Sequence, residues 1–163
     1  MEKLADAARS KVFPARDSKV LYLCPCKSFD LLCEEITPSS QKFGLLIAVD
    51  ARGVSNTQIW AAAEKLIAKG LVYLCAWGPD CERVHDCFDE AMALKDGREI
   101  TVDNVITAWH SRETLSEALC FFINSAFPDQ SLEETCREWI VTPIDNAEWQ
   151  ETVRADVAGM GYE

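Results

Sequence analysis

The sequence predicts an α/β domain, a three-layer, Rossmann-like or flavodoxin-like sheet of about five mainly parallel strands with helices on both faces. Three observations predict it. Short, continuous apolar runs recur along the chain, segments of helical period separate them, and the helices carry start and stop signals. Strands covered by helices on both faces read as continuous apolar runs, and strand–helix alternation winds through right-handed crossovers into a parallel sheet.

Taken in order, residues 1–18 form an N-terminal segment expected to be helical, set off from the body of the domain by Pro14 and the polar stretch after it. Strands are expected at Val20–Cys24, Phe43–Asp50, Leu71–Trp77, Asn104–Trp109 and Glu138–Thr142, and a short helix around Phe29–Glu35 joins the first two. Asn56–Lys69 is the best-marked helix. Ser55 and Gln58 make a capping-box pattern, Ile59, Ala62, Ala63, Leu66 and Ile67 share one face, and Gly70 supplies a left-handed stop. A second helix follows Gly78-Pro79, where a first-turn proline lacks no needed amide, with Val84, Phe88, Ala91 and Met92 as its apolar stripe. A third spans about Arg112 to Ala126 before Pro128. A fourth starts after Asp145, whose spacing to Glu148 resembles a capping box, and carries Trp149, Val153 and Val157. Arg98–Val102, after the turn signal Asp96-Gly97, reads as an extra short edge strand.

The 163 residues are expected to form one domain, 1–163, and 48% hydrophobic content supplies its core. No apolar run reaches the ~18 residues of a membrane span, and Met1–Ser10 lacks the apolar centre of a secretion signal, so no membrane association and a cytoplasmic location are expected. The net charge of −11, without a basic stripe, excludes nucleic acid as the expected partner. The charge is uneven. Residues 1–70 hold ten Lys or Arg against eight Asp or Glu, whereas residues 71–163 hold six against nineteen. Such a surface steers basic partners, and it also keeps a protein soluble. The eight cysteines sit largely in apolar runs such as Leu71–Trp77 and read as reduced core thiols.

Ligands of open α/β sheets bind outside the carboxyl ends of the strands. That rule selects Cys24-Pro25-Cys26, Asp50-Ala51-Arg52-Gly53, Trp77-Gly78-Pro79-Asp80-Cys81, Trp109-His110-Ser111 and Pro143-Ile144-Asp145. Neither the dinucleotide glycine fingerprint nor the phosphate-cradling GxxxxGK[ST] loop is present. The nearest substitute, Gly53–Thr57 with Arg52, offers a helix N-terminus to a phosphate, or simply a capped helix. Cys81 and His85, four apart on one helix, could join Cys24 and Cys26 in a tetrahedral zinc site, although no CxxC pair occurs. Cys81 in a first helical turn, with His85 or His110 as base, is a candidate thiol nucleophile, opposed by the negative charge of Asp80, Glu82 and Asp86.

Two functions of different class follow. One is a small acidic binding or regulatory module that engages a basic protein through Asp80, Glu82, Asp86, Asp89 and Glu90 with Trp77 and Trp109. The other is a small enzyme or nucleotide-binding domain with its site at the strand ends around Asp50, Cys81, His85 and His110. The helix within residues 112–127 is apolar on more than one face, which suits either a doubly buried helix or a homo-oligomer contact.

Overall fold

The computed structural model describes residues 1–7, 19–93 and 105–160. These form a six-stranded sheet in the order β1-β2-β6-β3-β4-β5. The strands are β1 (Glu2–Ala7), β2 (Lys19–Leu23), β3 (Lys42–Ala48), β4 (Leu71–Trp77), β5 (Ile106–His110) and β6 (Cys136–Pro143). All neighbours run parallel except β1, which is antiparallel to β2. The helices are α1 (Leu32–Glu35), α2 (Asn56–Ala68), α3 (Cys81–Ala93), α4 (Leu115–Asn124) and α5 (Ala147–Gly159). The expected α/β class and mainly parallel sheet are therefore present, with one more strand than expected.

The three layers follow from the handedness of the crossovers. Successive connections that step the same way across a sheet place their helices on one face, and a connection that steps back places its helix on the other. From β2 to β3, β4 and β5 the chain steps one way, and α1, α2 and α3 share a face, joined in one core by Leu32, Leu66, Val84 and Phe88. From β5 the chain returns to insert β6 between β2 and β3, and α4 and α5 lie on the opposite face with Leu119, Phe122, Val153 and Val157. Strand residues alternate between the cores. Phe43, Leu45 and Ile47 of β3 enter the first, and Leu46 and Ala48 enter the second. Burial on both faces is why β3 reads as an unbroken apolar run.

The second core is built around Trp139, 1% exposed, whose ring packs on Tyr73 and Phe122 at centroid distances of 5.7 and 5.3 Å. Gly44 stands opposite it in the ladder, and a Cβ there would sit 2.9 Å from Trp139 Cδ2 and closer still to two other ring atoms. The glycine makes room for the indole.

Two local expectations are corrected. The N-terminal segment is a strand from Glu2 to Ala7, although Glu, Lys, Leu and Ala favour helix; pairing along β2 overrides that weak preference. A register shift between Lys3 and Ala5 accompanies the packing of the consecutive residues Leu4 and Ala5 on the same core, as a bulge permits. The cap of α5 is Asn146, which accepts a hydrogen bond from the Trp149 amide at 3.0 Å, whereas Asp145 takes a left-handed φ of 50°. The expected strand at Arg98–Val102 lies outside the described residues. Among the described residues, no helix is long and apolar enough to cross a membrane.

Candidate functional site

The return of β6 creates a topological switch. β2 and β3 lead to helices on one face, and β6, between them, leads to α5 on the other, so the chain parts above the carboxyl ends of these strands. A cleft of 460 Å³ opens there, lined among others by Lys27, Ser28, Asp50, Asp145, Asn146 and Trp149. This is where open α/β sheets hold ligands. Val49, Gly53, Val54 and Ile144 also line it.

One charge of the cleft, Asp50, is fixed locally. Arg52 grips Asp50 with two hydrogen bonds, Nε to Oδ1 at 2.9 Å and Nη2 to Oδ2 at 2.6 Å, and the Arg52 amide adds a third contact. The guanidinium holds the exposed Asp50 carboxyl down at about 2, from an ordinary 3.8. Arg52 is thus occupied by Asp50, and Ser55 closes a capping box with Gln58. A phosphate at Gly53–Thr57 would have to compete with both.

Beneath the cleft, Cys24 and Cys26 are 4% exposed each, and the Thr142 hydroxyl donates to the Cys24 carbonyl at 2.6 Å. The Cys24 thiol donates to the Glu35 carbonyl at 3.4 Å and the Cys26 thiol to the Cys24 carbonyl at 3.7 Å, and the mutual influence of the two thiols raises the pKa of Cys24 and lowers that of Cys26. The other half of the candidate zinc set lies elsewhere. Cys81 and His85 follow β4, and β6 and β3 stand between β4 and β2. The four residues do not converge, and the described residues contain no group of three or more His, Cys, Asp or Glu placed to hold a metal ion.

Cys81 is 1% exposed, and desolvation raises its pKa, an effect that the nearby backbone of His110, Cys81 and Gly78 partly offsets. The His110 imidazole turns to the other face, 4.7 Å from the Phe121 ring, with Nδ1 3.6 Å from Glu113 Oε1. Its buried Nε2 has no hydrogen-bond partner among the described residues. Asp50 belongs to the cleft, and His85 to a different surface.

That surface joins α3 to β5. His85 sits between two acids, Nδ1 at 2.9 Å from Asp86 and Nε2 at 3.4 Å from Asp89, and its ring lies 4.4 Å from that of Trp109. Thr107 donates to Asp89 at 2.7 Å and fastens the helix to the strand. Trp109 and Ile106 are 42% and 38% exposed. Glu82 and Glu90 are exposed on the same helix, whereas Asp80, in a left-handed turn, is paired with Arg83 at 2.8 Å. Of the seven residues expected to bind a partner, Asp80 lines a separate pocket beside His110 and Glu113, as does Trp77. Trp77 packs on the opposite core, edge-on to Trp149 at 5.1 Å, and its indole donates to the Glu113 carbonyl. The α4 helix buries Leu115, Ala118, Leu119, Phe122 and Ile123 within the chain and leaves Cys120 exposed.

A family model described as a domain of unknown function, DUF7684, matches residues 25–158. The chain belongs to the DUF7684 family. The match begins between the two cysteines that follow β2 and ends within α5, so it takes in both the cleft and the α3–β5 surface. No curated protein and no solved structure matches the chain. Sequence reasoning selected Asp50 and Asp145 as strand-end positions but missed Lys27, Ser28 and Trp149 as cleft residues. Their meeting depends on β6 lying between β2 and β3, and no local pattern encodes that order.

Proposed function

We propose that the protein is a binding module that recognises a basic protein partner through the surface shared by α3 and β5. The observation that carries this reading is the half-exposed pair Asp86 and Asp89, held around His85 beside the exposed Trp109 ring. Exposed carboxylates steer encounter, and an exposed indole on a rigid strand supplies the desolvated contact that retains a partner. The concentration of acidic residues after residue 70 extends the same field. The test is affinity capture from the native organism with the wild-type chain and with a D86K/D89K variant. A stoichiometric basic partner, released by salt and not retained by the variant, supports the reading. A partner held equally by both chains refutes it.

A second reading is favoured by the cleft at the switch point, whose 460 Å³ falls within the size range of small-molecule sites. In that reading the module binds a small ligand between Asp145, Asp50 and Trp149. Gly53 lines the cleft, and a Cβ there meets nothing within 4 Å, so Gly53→Leu puts a bulky side chain at the cleft from a backbone position with room for its Cβ. A metabolite that raises the melting temperature of the wild type and leaves that of Gly53→Leu unchanged supports this reading. An equal rise in both rejects the cleft as its site.

A further inference from the structure

Resting on the proposal that α3 and β5 face a basic partner, we infer that the partner binds as an extended segment, adding a strand to the outer edge of β5. β5 ends the sheet, with β4 on one side, and among the described residues no strand pairs with its other side. In a parallel ladder alternate residues bond to each neighbour, so β5 directs a second set of amides and carbonyls outward. Such an edge is a template for another chain, and proteins that leave one open usually blunt it with charge or shortness. Here the strand is short, yet it carries Ile106 and Trp109, the large apolar side chains that, with Met1, are most exposed among the described residues.

The side chains of β5 define what the added strand must look like. Thr107 and Trp109 face α3, where they meet Asp89 and His85, and His110 faces α4, where it meets Phe121. An added strand alternates in the same way. Its residues on the α3 side come beside Asp86 and Asp89, whose side chains are 59% and 45% exposed, and these positions call for Lys or Arg. Its residues on the α4 side come beside Ile106 and call for apolar groups. Main-chain hydrogen bonds give the affinity and the alternating side chains give the selection.

A second copy of the chain fits this edge poorly. Antiparallel pairing about a twofold axis normal to the sheet sets both α3 helices on the same side, acidic row facing acidic row. Like charge at close range costs association energy, and it does so most at low salt. The occupant is therefore a basic, extended segment of another protein.

The experiment uses the full chain, labelled with nitrogen-15, and a short synthetic peptide that alternates valine and lysine. Two further peptides carry N-methyl groups on one or the other alternating set of amides. The expected result is binding that slows exchange of the outward β5 amides between Ile106 and His110 by about tenfold or more, the factor that 1.4 kcal/mol of protection gives. One N-methylated peptide binds like the parent and the other does not bind, because only one set of amides faces β5. Binding that depends on Asp86 and Asp89, tolerates both N-methylated peptides and leaves β5 exchange unchanged overturns the added strand while preserving the acidic surface. Absence of binding overturns both. Outward β5 amides already protected in the free chain, or protection that tracks self-association by sedimentation, also overturns it, since the edge would then be filled without a partner.

Discussion

Lys19 is 2% exposed, yet all three protons of its ammonium have acceptors. Nζ donates to the carbonyls of Phe122, Ile123 and Ala126 at 2.8, 2.9 and 2.6 Å. It also lies 4.0 Å from the centroid of the Trp139 ring. The last carbonyls of a helix have no partner within it and carry partial negative charge, so the first residue of β2 caps the end of α4 from more than a hundred residues away. Lys19→Met keeps most of the aliphatic stem and removes the donors and the charge. The loss is three hydrogen bonds to a charged group, and the residue of the perturbation is a set of buried carbonyls whose desolvation costs about 1–3 kcal/mol each when nothing replaces the donor. Against this, the variant no longer buries an ammonium, a relief of several kcal/mol. The balance we expect is a net destabilisation of about 3 kcal/mol, because removing one partner of a buried charged cluster typically costs 3–5 kcal/mol and methionine recovers part of the packing.

The assay is urea unfolding of the wild type and Lys19→Met, followed by tryptophan fluorescence and far-ultraviolet circular dichroism. For a slope near ~2 kcal/mol/M the midpoint should fall by about 1.5 M, and the melting temperature by roughly 6–12 °C for a chain of this size. Amide exchange should accelerate first at the end of α4. A variant within 0.5 kcal/mol of the wild type, or a more stable one, would refute the reasoning. It would mean that the cost of burying the ammonium matches or exceeds its bonds, as happens when some buried ion pairs are replaced by apolar groups.

Three further outcomes follow from the same geometry. The Asp50 carboxyl, titrated by carbon-13 NMR, should have its midpoint near the depressed value of about 2, and Arg52→Gln should return it toward 3.8. Because the folded pKa is lowered, the clasp's stabilisation is present above 3.8 and is lost as pH falls through about 2; a midpoint at 3.8 in the wild type rejects the clasp. Gly44→Ala should destabilise by about 1–3 kcal/mol or more in chemical denaturation, since its methyl group meets the Trp139 ring in a fully buried site; an unchanged midpoint would show that the indole yields freely. Thr114→Ala opens the capping box with Glu117 and should cost about 1 kcal/mol, whereas Thr114→Ser should cost little.

Several elements that carry their own determinants are legible in the sequence. The Ser55–Gln58 box and Gly70 bracket α2 within a residue, and the unbroken apolar runs at β3 and β4 betray strands buried on both sides. Less legible are choices that depend on a partner element or on one residue's backbone conformation. Glu2–Ala7 has helical composition and becomes a strand because β2 offers an edge, with Glu2 bonded to Arg154 of α5 at 3.0 Å. At the start of α5, Asp145 and Asn146 both carry a suitable acceptor, and the spacing to Glu148 favours the wrong one; the left-handed turn at Asp145 moves the cap one residue on. The acidic face of α3 with Trp109 was legible as a group, since helical spacing gathers the acids. The company of Trp77 was not, because alternation along β4 sends it to the opposite face.

One topological choice produces both candidate sites. Had the last strand continued outward beyond β5, the sheet would run in sequence order from β2 onward, every connecting helix would lie on one face, and no crevice would part the strand ends. β5 would then be an interior strand, its outward amides paired and Trp109 covered. Instead β6 turns back and enters between β2 and β3, where Trp139 finds the space left by Gly44 and the ammonium of Lys19. That insertion opens the cleft beside Asp50 and Asp145 and leaves β5 as the border of the sheet among the described residues. The cleft and the β5 edge thus lie on different strands, with β3 and β4 between β6 and β5, and a small ligand in one need not exclude a peptide on the other. The rigid strands between them are shared, so a ligand that tightens the switch point should be sought as a modulator of the edge, by repeating the β5 exchange measurement in its presence.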